Sequence, residues 1–228
     1  MSRAFNIDRR AFLRTAGVAG TSAAVAGCLG GDGGTDTIVP GTSTPFRPFE
    51  YLDEDSNELV GFDVELVEEA IARTDYEQGE WQDISFDQLE TALLNGDIDM
   101  IAAALSINED RQKKYTFTDP YYEVNQGVVV RDGGDFQPDE LEDFEGRRVG
   151  AQSGTTGETE VEERMIDEPT ANSFTEERDV VVAFTIVTDE EYAFAMRPDD
   201  DRVSDVNDAL SAMREDGTYD EIRERYIG

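Results

Sequence analysis

Asp97-Ile-Asp-Met-Ile-Ala-Ala-Ala-Leu-Ser-Ile-Asn-Glu-Asp-Arg111, followed at once by Gln112-Lys-Lys-Tyr-Thr-Phe-Thr-Asp-Pro-Tyr-Tyr122, is the stretch that decides the fold. Ile98 to Leu105 is a short apolar run behind a Gly-Asp break, which predicts a buried strand. Asn108 is placed to cap a short polar helix after it, so a strand end meets a helix start. Such a junction gathers backbone N–H groups, the Ser106 hydroxyl and the Arg111 guanidinium, a donor set suited to a carboxylate. On spacing alone the commoner reading of Arg111 is a solvated helix residue.

Upstream, Thr37-Ile-Val-Pro-Gly-Thr42 predicts a first strand, and the turn-rich Pro45-Phe-Arg-Pro-Phe49 leaves it. Tyr51-Leu52 and Glu58-Leu-Val60 flank the acidic turn Asp53-Glu-Asp-Ser-Asn57 as a hairpin. Asp63 is placed to cap a helix whose apolar residues Val64, Val67, Ala70 and Ile71 recur at helical spacing. A second helix, Ser85 to Asn95, turns Phe86, Leu89, Leu93 and Leu94 partly inward and stops at Gly96. Strand, helix, helix, strand predicts an α/β fold with a mostly parallel sheet and helices on its faces. Ligands of such sheets collect at the carboxyl ends of the strands.

The charge is the extreme feature: 53 acidic residues against 19 basic ones, with Lys113 and Lys114 the only lysines. A net charge of −34 argues against a nucleic-acid partner. The acidic residues are spread through helical patterns such as Asp63-Val-Glu-Leu-Val-Glu-Glu69, which describes a folded chain with an acidic surface and not a disordered tail. Molar salt shortens the screening length to about 3 Å, so a halophilic setting is expected. Asp53–Asn57 lacks the glycine and final glutamate of a calcium loop, and no metal or cofactor is expected. With no histidine in the chain, Ser-His-Asp and His-metal chemistry are excluded.

Downstream, Val124-Asn-Gln-Gly-Val-Val-Val-Arg131 is a strand leaving this first unit, and Glu191-Tyr-Ala-Phe-Ala-Met-Arg197 returns to it. Between them lie a short helix over Leu141–Phe144, a strand over Arg148–Ala151, the loop Ser153-Gly-Thr-Thr-Gly157 opening a helix, and the β-branched strand Val180–Val187. Hydroxyls and glycines at a helix start can cradle an anion, although a plain glycine-rich turn is the more frequent explanation. Val203, Val206, Leu210 and Met213 predict a helix ended by Gly217, and Tyr219, Ile222 and Tyr226 a final amphipathic turn.

Gly61-Phe-Asp-Val-Glu-Leu66, Phe86-Asp-Gln-Leu89, Asn95-Gly-Asp-Ile-Asp99, Leu105-Ser-Ile-Asn-Glu-Asp-Arg111 and Phe117-Thr-Asp-Pro-Tyr-Tyr122 follow one another as in the polar amino-acid family of ABC-transporter solute-binding proteins. Val149-Gly-Ala-Gln-Ser-Gly-Thr-Thr-Gly157 and Asp216-Gly-Thr-Tyr-Asp220 resume the resemblance. It implies a two-lobed, type II periplasmic-binding-protein-like fold: lobe 1 over 37–122 and 192–228, lobe 2 over 123–191, with the crossing strands as hinge. The resemblance further implies that Arg111, Ser106 and the Thr155-Thr156 loop take an α-carboxylate. Asp167 would pair with the α-ammonium, Phe46 and Phe86 would sandwich the side chain, and the Ala104 carbonyl would accept a hydrogen bond. Ser43 stands where basic-ligand members carry an acid, which favours a neutral or mildly polar side chain. One departure follows Glu158. The chain passes from Val161-Glu-Glu-Arg-Met165 directly to Ile166-Asp-Glu-Pro169, so roughly thirty residues, one βα crossover, are missing and lobe 2 is expected to be reduced.

Residues 1–28 read as an address: Arg9-Arg10-Ala-Phe-Leu-Arg14 resembles a twin-arginine motif and Val25-Ala-Gly-Cys28 a lipobox, with the only cysteine at the acylated position. Residues 29–36 form a glycine-rich tether. The resemblance implies a monomer held on the outer face of the cell membrane by a lipid on Cys28, with an ABC permease as partner. Two alternatives stay open: a cyclohexadienyl-dehydratase-like enzyme on the same fold, and a reduced paralogue that binds no ligand.

Overall fold

In the computed structural model, which describes residues 37–144, 150, 152, 154–156, 166–167 and 180–228, the expected first strand is split in two. β1 (Thr37–Ile38) pairs in parallel with β5 (Glu77–Gln78). β2 (Pro40–Thr42) pairs in parallel with β6 (Gln82–Asp83) and β7 (Met100–Ile101). The break falls at Val39, whose N–H donates to the Asp99 carboxylate at 3.0 Å, and Pro40 has no N–H to offer a ladder. The hairpin forms as expected, β3 (Tyr51–Leu52) against β4 (Leu59–Val60), and the Asp53 carboxylate accepts the Asp55 and Ser56 N–H groups to close its turn.

β12 (Ala195–Met196) runs antiparallel between β7 and β8 (Thr116–Phe117), completing a five-stranded sheet in the order β6-β2-β7-β12-β8. Successive strand residues point to opposite faces, and both faces are covered. Met100 and Met196 join a cluster with Phe62, Leu66 and Val67 of α1 (Phe62–Ala72) and Val206, Leu210 and Met213 of α4 (Arg202–Asp216). Ile101 and Ala195 join the other, with Leu89 and Leu93 of α2 (Phe86–Asn95). Leu94, expected to be partly inward, is 46% exposed; Ala92 takes its place in the buried stripe. Gly217 closes α4 at a φ of 88°, and α5 (Thr218–Tyr226) buries Ile222.

Two expectations fail here for one reason. Asp63 does not cap α1, which starts after Gly61, and the strand expected to run to Leu105 stops at Ile101. The Asp63 carboxylate instead reaches across to accept the Ala104 N–H at 2.7 Å, and Ala104 takes a φ of 46° that no strand residue adopts. Gly61 allows the close entry: its φ is 139°, and a Cβ there would stand 2.1 Å from the Phe49 carbonyl oxygen.

The chain leaves this unit along β9 (Tyr122–Arg131) and returns along β11 (Val180–Tyr192), one continuous strand where two segments were expected. With β10 (Ile166–Asp167) they form a three-stranded antiparallel sheet in the order β10-β9-β11. Among the described residues its apolar cluster holds Val128 and Phe144 with Phe136 and Phe184, and a 3-10 turn over Leu141–Phe144 supplies Phe144. The strand expected over Arg148–Ala151, the helix from Glu158, and the address and tether with Cys28 lie outside the described residues.

Asp99 knots the first unit together. It accepts the Val39 N–H and the guanidinium groups of Arg197 at 2.6 Å and Arg202 at 3.0 Å, while Arg202 also donates to the Thr37 carbonyl. Burial alone would raise its carboxyl, but the bonds from Arg197, Val39 and Arg202 together hold it below the usual range. Breaking a buried pair strands a charge. Asp200 still pairs with Arg202 at 2.7 Å, so Asp99→Ala is expected to lower the unfolding free energy by about 3 kcal/mol, the low end of that cost. Denaturant unfolding in molar salt checks this, and an unchanged midpoint would refute the knot.

Candidate functional site

Arg111 is not the solvated residue that spacing alone favours. It sits in the four-residue helix α3 (Glu109–Gln112), and the Asn108 side chain accepts its backbone N–H at 2.9 Å, the expected cap. The residue is 8% exposed. Nη1 donates to the Ser106 carbonyl at 2.7 Å and Nη2 to the Gly154 carbonyl at 3.0 Å, so the guanidinium reaches from the end of the first-unit segment to the glycine loop. The Phe86 ring lies beneath it, 5.8 Å from centroid to guanidinium carbon. A cavity of about 200 Å³ opens beside these groups, lined by Phe86, Leu105, Arg111, Tyr115 and Gly154.

Ser106 and Thr156 are brought together, their hydroxyl oxygens 3.2 Å apart. The group that joins them is one that the sequence reading missed. Glu190 Oε2 accepts from Ser106 Oγ at 3.0 Å and from Thr156 Oγ1 at 3.2 Å. Gln126 Nε2 donates to both Glu190 oxygens, at 3.0 and 3.1 Å. The strand explains the aim. The register of β11 on β9 shifts between Ile186 and Glu190, and such a bulge redirects a side chain. Thr188 stitches the bulge shut, its N–H on the Asn125 side chain and its hydroxyl on the Val124 carbonyl. An acidic triplet, Asp189-Glu-Glu191, carries no contrast in so acidic a chain, which is why composition gave no signal.

The other expected residues are placed less convergently. The Thr155 hydroxyl donates to the Gln152 carbonyl at 2.8 Å and not to Ser106. Phe46 stacks on Phe49 and packs on the α1 cluster, whereas Phe86 packs on the α2 cluster, so the two rings belong to different cores. Asp167 enters through its backbone, paired with Gln126 across β10 and β9. Ala104 is fixed by its N–H on Asp63. The buried Tyr121 hydroxyl donates to the same Asp63 oxygen at 2.7 Å, which couples the Ala104 turn to the start of the outgoing hinge strand.

Fold and topology together define a class: a two-lobed α/β binding protein whose lobes are joined by crossing strands, with Arg111, Ser106 and Thr156 gathered where they meet. The model of the bacterial extracellular solute-binding proteins, family 3, matches residues 38–228, and the chain belongs to that family. A probable histidine-binding protein of Neisseria gonorrhoeae is 31% identical, over 82% of this chain and 81% of its own. The arginine-binding extracellular protein ArtP of Bacillus subtilis is 26% identical, over 87% and 89%. Among solved structures, an ancestral arginine-binding protein bound to arginine superposes with a TM-score of 0.79 at 29% identity, covering 85% of this chain and 99% of that one. The fold is therefore that of the type II periplasmic amino-acid-binding proteins, and these relatives are named as binding proteins, not enzymes.

Burial pushes the Asp63 carboxyl up to about 7, against the opposing bonds from Ala104 and Tyr121. An unfolded aspartate releases its proton near 3.8, so this group's stabilising contribution is complete below that pH and is lost as pH rises toward 7. Asp63→Asn, which cannot ionise, is expected to flatten the fall of the melting temperature between about pH 4 and pH 7. Parallel pH profiles for the two proteins would show that Asp63 is not the titrating group.

Proposed function

We propose that this chain captures an α-amino acid or similar small zwitterion between its lobes and hands it to an ABC importer permease. The observation that carries the reading is the buried Arg111 guanidinium lying with the Ser106 and Thr156 hydroxyls where the two lobes meet. Arg111 takes the ligand carboxylate by two parallel bonds, a geometry that a planar guanidinium offers and an ammonium does not. Ser106 and the Thr155-Thr156 loop complete that seat, Asp167 takes the ammonium, the Ala104 carbonyl accepts a bond, and Phe46 and Phe86, both on lobe 1, sandwich the side chain as lobe 2 closes over it. The second lobe is shortened by one βα unit, and the ligand's side chain is neutral or mildly polar. Relatives named for histidine, arginine and glutamine make those three the first ligands to try.

Calorimetric titration of the chain after Cys28 with the common amino acids in molar salt is the test. Saturable binding is expected, weakened at least about 30-fold in Arg111→Ala, because removing a buried, hydrogen-bonded charge partner costs about 2 kcal/mol or more. A folded protein that binds none of them would favour the reduced paralogue, and turnover of a cyclohexadienyl acid would favour the enzyme.

Export by a twin-arginine route and a lipid on Cys28 complete the proposal, with residues 29–36 as tether. The acidic surface, at a net charge of −34, suits a halophilic exterior where salt screens self-repulsion. Cys28→Ala is expected to move the protein from the membrane fraction to the medium; continued sedimentation with membranes would refute the anchor.

A further inference from the structure

Glu190 stands where a bound carboxylate would stand. Its Oε2 receives the Ser106 hydroxyl at 3.0 Å and the Thr156 hydroxyl at 3.2 Å, and its two oxygens rest on the Gln126 amide at 3.0 and 3.1 Å. Gln126 is 2% exposed and belongs to β9, Glu190 to β11, Ser106 to the end of the first-unit segment and Thr156 to the glycine loop. One side chain therefore ties both lobes and both hinge strands.

A hydroxyl has one proton to donate. With Ser106 and Thr156 both directed at Glu190, a second carboxylate receives neither until Glu190 withdraws, and two like charges on one pair of hydroxyls repel each other. Arg111 is likewise engaged, on the Ser106 and Gly154 carbonyls, and the second of these contacts again spans the cleft. Gly154 packs against the start of α2: a Cβ there would meet the Phe86 ring at 3.5 Å and the Asp87 backbone at 3.6 Å.

We propose that Glu190 is an internal anion that fills the ligand-carboxylate seat and latches the lobes together when no ligand is bound. Ligand enters by exchange: its carboxylate takes the Ser106 and Thr156 hydroxyls, and Glu190 swings aside on the Gln126 amide. The latched form does not bind, so the apparent affinity is lower than the intrinsic affinity of the emptied seat. The affinity consequence rests on the amino-acid-binding reading; the latch does not.

The test compares the full chain with Glu190→Gln, Glu190→Ala and the neighbouring Glu191→Gln, in molar salt. Circular dichroism establishes folding, and the isosteric glutamine variant serves if the alanine variant does not fold. Small-angle scattering without ligand is expected to show a larger radius of gyration for the Glu190 variants and no change for Glu191→Gln. Titration with an amino acid that the wild type binds is expected to show binding tightened about tenfold or more in the Glu190 variants alone. An unchanged ligand-free radius in a folded Glu190 variant overturns the latch, whatever the ligand results. Weaker binding in both variants also overturns it, and shows Glu190 holding the ligand's cation instead. If neither wild type nor variants bind any amino acid, the amino-acid reading fails while scattering still decides the latch.

Discussion

Asp63 has no exposed surface, and a single oxygen of its carboxyl, Oδ2, accepts both the Ala104 N–H and the Tyr121 hydroxyl. A carboxyl taken out of water needs local partners, and Oδ2 gains one of its two by bending the chain after β7 into a conformation that a strand does not use, while Oδ1 is left without a hydrogen bond among the described residues. That bend ends the sheet at Ile101. It delivers Ser106 to pair with Tyr192 at the foot of the returning strand, and it starts α3 where Arg111 turns back on the Ser106 carbonyl. The positions of Ser106 and Arg111 thus follow from one buried acid that grips the chain two residues before Ser106.

The aromatic residues convert that anchor into a fulcrum. Tyr121 stacks on Phe194 at 4.5 Å and Tyr122 on Tyr192 at 6.2 Å, with Phe49 and Phe62 edge-on to Tyr122. These rings straddle the points where β9 leaves and β11 returns, so both hinge strands start from a fixed, close-packed base. Beyond it, among the described residues, the outer sheet packs around Val128 and Phe144. Sliding of the outer sheet past this base would have to break the ring packing, while rotation about it would leave the packing intact.

What the sequence disclosed follows the range of the interactions. The Asn108 cap on Arg111, the Gly96 and Gly217 stops and the Asp53 hairpin turn all join residues a few positions apart, and local pattern reads them directly. Asp63 and Glu190 act across 41 and 84 positions, on Ala104 and Ser106, and no local rule sees that far. Acidic residues are also so common here that neither stands out by type. The family resemblance pointed to Ser106, Arg111 and Thr156, where spacing alone favoured a solvated Arg111 and a plain glycine-rich turn. It did not supply Glu190, because that residue's aim depends on a bulge, and a bulge is a property of two paired strands.

Charge closes the physical argument. Most arginines of the first unit are neutralised by contact: Arg202 on Asp99 and Asp200, Arg73 on Glu69 and Asp216, Arg225 on Glu65. Arg111 donates to the Ser106 and Gly154 carbonyl oxygens, which orient its guanidinium. The body of the protein, at −34, repels any small molecule with a net negative charge. The zwitterion proposed as ligand would bring a carboxylate to Arg111 with no net charge for the surface to oppose. In molar salt the repulsion fades beyond about 3 Å, and the contact at Arg111, shielded by burial, is the part that survives.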